Sequence, residues 1–125
     1  MSVVIQSRHS YADTLDRLLK AIAASGNTVF ATIDQAAAAQ AAGLTLRPTL
    51  LIAFGNPKAG TPLMEAFPLA ALDLPLKLLV WEQDGSVRVA YTPASEVATR
   101  YGVTGKDALI AAMDAALGAL AATVA

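Results

Sequence analysis

TLLIAFGNPKAGTPL, residues Thr49 to Leu63, is the stretch on which the fold turns. Its opening run TLLIAF is continuously apolar, short, and bounded by Pro48 and Gly55. That predicts a strand buried on both faces, lying centrally in a sheet. Gly55, Asn56 and Pro57 end the strand, Lys58 adds a charge, and Thr61 with Pro62 reads as the N-cap and first residue of a short helix reaching Phe67.

Upstream, Ser2 to Arg8 reads as a first strand, and Ser10 opens a helix with Asp13 three residues on. Leu15, Leu18, Leu19 and Ile22 recur at helical spacing until Gly26. Thr28 to Ile33 is rich in β-branched and aromatic residues and predicts a second strand. Asp34 then caps a short alanine-rich helix ending at Gly43. A helix between two strands favours a right-handed parallel crossover. Downstream, Leu76 to Gln83 and Ser86 to Tyr91 flank Asp84-Gly85, a strong hairpin signal. Thr92-Pro93 opens a helix closed by Gly102, and Thr104 with Asp107 opens the last one. In that last helix Leu109, Met113, Leu117 and Leu120 form one stripe, while alanines and Gly118 leave much of the remaining surface small. This suits close packing within the chain or against a second copy. The expectation is a single α+β domain over residues 1–125, with a mixed sheet of about five strands and a helical C-terminus.

Composition narrows function mainly by exclusion. The 125 residues match one domain, and 28 of them are alanine, so much of the 55% hydrophobic fraction is helix-forming rather than greasy. Nine basic and ten acidic side chains are scattered singly, which offers nothing to nucleic acid. No apolar run approaches a membrane span and the start is not signal-like, so a cytoplasmic location is expected. The absence of cysteine, with His9 the only histidine, excludes thiolate chemistry and sites built from several imidazoles, and no metal site is expected.

The polar residues of Gly55 to Leu63 are the strongest candidate site. Between Asp34 and Glu65 the only charged side chains are Arg47 and Lys58, both cationic, and backbone amides near a helix start beside a lysine suggest an anion cradle. A phosphate-binding P-loop is excluded, since Thr61 stands where its lysine belongs and Pro62 lacks an N–H. The alternative for the whole segment is a tight strand-to-helix connection. Asp34 and Glu82 are expected near sheet ends, where ligands of open sheets collect, with helix capping and a solvated strand as their plainer roles.

GLTLRPTLLIAFGNPKAGTPLMEA from Gly43 to Ala66, LDLPLKLLVWE from Leu72 to Glu82 and YTPASEVATRYGV from Tyr91 to Val103 together resemble the bacterial and archaeal family called domain of unknown function 302. The resemblance extends over nearly the whole chain. It implies a compact two-layer domain, homodimeric and usually cytoplasmic, with no settled activity. Relatives commonly carry a histidine where this chain has Gln35, and another where it has Tyr101. Both departures remove an imidazole that a haem, metal or proton-transfer role would use.

The leading expectation is therefore a homodimer binding a small polar or anionic ligand at Gly55, Asn56, Lys58, Gly60 and Thr61, with Arg47, Asp34 and Glu82 nearby. Three alternatives stand beside it: an enzyme pairing Lys58 with Glu82 or Asp34, a haem or metal protein using Tyr101 or His9, and a structural dimeric module. The sequence names no cofactor.

Overall fold

The computed structural model describes all residues, Met1–Ala125. The strands are β1 (Val3–Gln6), β2 (Thr28–Asp34), β3 (Thr49–Gly55), β4 (Leu76–Gln83) and β5 (Ser86–Tyr91). The helices are α1 (Tyr11–Ala24), α2 (Gln35–Ala41), α3 (Pro57–Ala66), α4 (Ala94–Arg100) and α5 (Asp107–Ala122), with a 3-10 helix over Pro68–Asp73. The five strands form one sheet in the order β1-β5-β4-β3-β2.

The two-layer α+β architecture expected from the sequence is present, and one feature of the sheet differs. Every neighbouring pair is antiparallel, so the sheet is not mixed and the segment between β2 and β3 is no parallel crossover. A parallel crossover must travel back the length of a strand. The seven-residue α2 rises only about 10 Å at 1.5 Å per residue, against about 20 Å for a seven-residue strand. The chain instead turns through α2 and comes back beside β2 the opposite way.

Alternation sorts the sheet into two unlike faces. On one, Ile52 and Phe54 of β3, Leu78 and Val80 of β4 and Val89 of β5 are fully buried. They join Leu18 and Ile22 of α1, Leu63 of α3 and Leu117 of α5 in a single cluster. Burying each such side chain contributes about 1.5–3 kcal/mol. The opposite face has no helix over it. Register carries a row of apolar side chains across all five strands there: Ile33 opposite Leu51, Leu51 opposite Leu79, Leu79 opposite Ala90, and Ala90 opposite Val4. Val4 is 53% and Ile33 44% exposed, while Leu51 and Leu79 are half-buried. β3 is thus buried on both faces only along Ile52–Phe54.

Local chemistry explains the element ends. Ser10 and Asp34 cap α1 and α2 by accepting hydrogen bonds from the backbone amides of Asp13 (3.1 Å) and Ala37 (2.9 Å). Asp84 and Gly85 both adopt positive φ (53° and 78°), the two-residue turn whose twist matches the flanking strands. The starts of the last two helices differ from expectation. Lys106, not Thr104, is the cap residue of α5, with no side-chain cap, after a positive φ at Gly105. α4 is capped from a distance, by the Asp114 carboxylate of α5, which accepts from Ala94 N (2.5 Å) and Ser95 N (3.3 Å).

Candidate functional site

The segment after β3 is mostly helix. Asn56 is the cap of α3, accepting from Lys58 N at 3.0 Å through Oδ1, and Pro57 takes the first helical position, where its missing N–H costs nothing. Thr61 and Pro62, expected to open the helix, lie inside it. Asn-Pro and Thr-Pro are equally good starts by residue type. The earlier one is used because β3 delivers Asn56 directly in extended conformation.

This geometry leaves the first turn of α3 with no free backbone amide for an anion. Pro57 has no N–H, Lys58 N is taken by the Asn56 side chain, and the amides of Ala59 and Gly60 both reach Asn56 O at 2.9 and 3.0 Å. The anion cradle expected there is not formed.

What forms instead is a cavity of about 440 Å³. Gly55, Asn56, Gly60 and Thr61 line it, together with Met64 from the next turn of α3. Phe54, Pro75 and Leu76 close it from the ends of β3 and β4, and Leu109, Ala112, Met113 and Ala116 form the α5 wall. Phe30 reaches it from β2 through an interruption in register. Val29 pairs with Phe54 and Ala31 with Ala53, leaving Phe30 without a partner. Such a bulge re-aims the extra side chain. Ala112 and Ala116 line the wall with methyl groups where a larger side chain would take up the space.

The expected site residues therefore divide. Gly55, Asn56, Gly60 and Thr61 meet at this cavity. Lys58 is exposed and outside its lining. Asp34, Arg47 and Glu82 lie toward the Thr49 end of β3, about 20 Å away by strand rise. There Asp34 lines a second hollow of about 400 Å³ with Tyr11, Gln40, Leu44 and Leu46. Burial raises the Tyr11 hydroxyl pKa above its ordinary value, and the negative charges of Asp34 and Glu82 raise it further. Arg47 is exposed and contributes only its carbonyl, to the Thr49 hydroxyl. The pairing of Lys58 with Glu82 or Asp34 that an enzyme would need is not assembled within one chain.

Tyr101 and His9 are occupied elsewhere. The Tyr101 hydroxyl donates to Asp73 Oδ2 at 2.6 Å, and Arg100 Nη1 reaches the same oxygen at 2.6 Å, which ties α4 to the 3-10 helix. The bonds from Tyr101 first and Arg100 second hold the Asp73 carboxyl below its ordinary range, and the bond to Asp73 pushes the Tyr101 hydroxyl above its own. His9 Nδ1 lies 3.1 Å from Asp13 Oδ2 at the entry to α1. No three His, Cys, Asp or Glu side chains are grouped so as to hold a metal ion.

Sequence reasoning missed Asn27, Phe30, Met64 and the cavity-facing side of α5. Leu109 and Met113 were legible as one stripe, but not that its first turns close a cavity while Leu117 and Leu120 pack in the core.

A two-layer α+β domain with a bare sheet face and one apolar end cavity is the class of protein that this geometry defines. The family Domain of unknown function DUF302 matches residues 3–120, and the chain belongs to it. The crystal structure of an uncharacterized conserved DUF302 protein from Bacillus stearothermophilus superposes with a TM-score of 0.90 at 17% identity, covering 99% of this chain and 98% of that one, and so shares the fold. Among curated proteins, the chain is 47% identical over 90 residues to "Fluoride-specific ion channel FluC 1" of Brucella suis biovar 1. The protein of the same name from Brucella abortus biovar 1 matches equally well. The match covers 72% of this chain but only 35% and 33% of those proteins, so it spans about a third of their length. No helix of this chain is long and apolar enough to cross a membrane.

Proposed function

We propose that this domain binds a small molecule in the cavity at the Gly55 end of β3, and that it does so as a cytoplasmic homodimer. The observation that carries the binding reading is the cavity itself. Its 440 Å³ falls within the range of small-molecule sites, and it is built where Gly55, Asn56, Gly60 and Thr61 converge with α5. A fragment screen read by backbone and methyl NMR tests this. Fragments are expected to shift Gly60, Met64 and Met113 together, and a screen in which no fragment moves them overturns the reading.

The homodimer reading rests on the bare sheet face. The row Ile33–Leu51–Leu79–Ala90–Val4 is a continuous apolar strip on a face that no helix covers, and strips of that kind mark association surfaces. A second copy presents the same strip, as a two-fold interface requires. Sedimentation at micromolar concentration is expected to give a dimer for the native chain and a monomer for Leu79→Lys. A monomeric native chain would sink the proposal.

Fluoride conduction, the activity in the name of the Brucella relatives, is not part of this proposal. Two thirds of each of those proteins lies outside the match.

A further inference from the structure

We infer that the cavity takes an uncharged, largely apolar molecule ending in a single alcohol- or amide-like group, a deepening that rests on the cavity being a binding site. Three features of the lining point to this class.

The first is charge. No charged side chain lines the cavity: of the two cations adjacent in sequence to lining residues, Lys58 is exposed outside it, and Lys77 donates to the carbonyls of Asp73 and Pro75 at 3.3 and 3.2 Å. The amides at the start of α3 are spent on Asn56. A carboxylate or phosphate seated against this lining would give up hydration with neither a counter-ion nor a free backbone donor in return.

The second is the wall. Phe30 and Phe54 supply ring surfaces, and the thioethers of Met64 and Met113 supply pliable, polarisable surface that adapts to irregular apolar shapes. The volume holds roughly 15 heavy atoms at about 30 Å³ each. A ten-carbon chain or an aromatic of two or three rings is of about that size.

The third is the complement of the few polar groups. Asn56 Oδ1 already accepts from Lys58 N, which leaves the Asn56 side-chain NH₂ to donate. Asn27 already donates through Nδ2 to the Ser25 Oγ at 2.8 Å, which leaves its Oδ1 to accept. Two N–H donors of Asn56, the second N–H of Asn27 and the Asn27 Oδ1 acceptor, joined by the Thr61 hydroxyl, suit a group that both accepts and donates, as a hydroxyl or carboxamide does, whereas a carboxylate can only accept.

The test uses the full chain and the neutral fluorophore N-phenyl-1-naphthylamine, displaced in parallel by 1-decanol and by decanoate at neutral pH, below micellar concentrations. The fluorophore is expected to brighten on binding, and decanol to displace it at a concentration at least about tenfold below decanoate, about 1.4 kcal/mol of discrimination. Ala116→Trp, filling the cavity from α5, is expected to abolish the signal, and Lys58→Ala to leave it unchanged. Ala112→Phe replaces the first variant should its circular dichroism show that it has not folded. Decanoate displacing as well as decanol, or loss of binding in Lys58→Ala, overturns the uncharged class while leaving the site standing. No binding at all, or binding indifferent to both cavity-filling variants, overturns the site as well.

Discussion

At the Gly55 end of β3 the chain encloses a cavity of about 440 Å³ walled by α3 and α5, and at the Thr49 end a hollow of about 400 Å³ walled by α2 and the residues that follow it. The two spaces are close in size and opposite in chemistry. The first is lined by phenylalanine, methionine and alanine with no charge. The second holds Asp34 and Tyr11, with Glu82 close enough to act on the same hydroxyl. The difference follows from what covers each end. α3 and α5 send Leu63, Met113 and Leu117 into the core, so the space between them has an apolar floor of buried side chains, while its mouth, at Phe30, Asn56, Thr61 and Ala112, is exposed. α2 buries no residue, and Ala41 to Pro48 are all exposed, so carboxylates at that end keep their hydration.

The contrast is most exposed to a pair of truncations. Phe54→Ala removes a fully buried ring that belongs both to the core and to the cavity floor, and is expected to cost about 3–5 kcal/mol in denaturant unfolding. Leu44→Ala at the other hollow removes a side chain that is 66% exposed, and is expected to change stability by less than about 0.5 kcal/mol. Similar losses from the two variants would show that the Thr49 end is as tightly packed as the Gly55 end, and would break the comparison.

A second pair sharpens it at the level of helix caps. Asn56→Ala and Asp34→Ala each delete one N-cap hydrogen bond, worth about 1 kcal/mol to the helix concerned. α3 is anchored by the buried Leu63, so the loss in Asn56→Ala should appear in global unfolding. α2 is anchored by nothing buried, so Asp34→Ala should instead speed amide exchange at Ala37 and its neighbours, with little change in the global midpoint. A global loss in both variants would mean that α2 is coupled to the core.

These same two ends show where the sequence was legible. Signals confined to a few adjacent residues could be read directly: the Asp84-Gly85 turn, the caps at Ser10 and Asp34, and the apolar run of β3. Competition and distance defeated the rest. Asn56-Pro57 and Thr61-Pro62 are both good helix starts, and only the path of β3 decides between them. Strand, helix, strand over Thr28 to Phe54 fits a parallel crossover or an antiparallel return, and only the brevity of α2 argues for the second. Arg47 was grouped with Lys58 as the other cation between Asp34 and Glu65, and Asp34 and Glu82 joined them as carboxylates expected near a sheet end, with nothing in the sequence to say which end. A strand puts residues that flank it on either side at opposite ends, and the grouping failed for that reason. The Asp114 cap on α4 had no local signature, its donors lying 20 and 19 residues away.

The smallest expected effect concerns the ionisation of the charged end. Burial is the largest cause of the raised Tyr11 pKa, followed by Asp34 and then Glu82. Asp34→Asn and Glu82→Gln should each lower the Tyr11 midpoint toward its ordinary value of 10.0, the first by more, and even the double variant should stay above it because burial remains. The neutral phenol is the form favoured by folding, so the folded state holds its proton to higher pH than the unfolded chain does. The stability linked to Tyr11 is intact below pH 10.0 and is lost as pH rises through the folded value, a loss the two variants should reduce. Tyrosine-selective NMR titration separates Tyr11 from Tyr91 and Tyr101. Tyr101 draws its raised value from Asp73 and serves as the internal control, and its midpoint should not move. Equal movement of Tyr11 and Tyr101 would mean that the variants act through general loosening of the fold, and a motionless Tyr11 would separate it from the carboxylates at that end of the sheet.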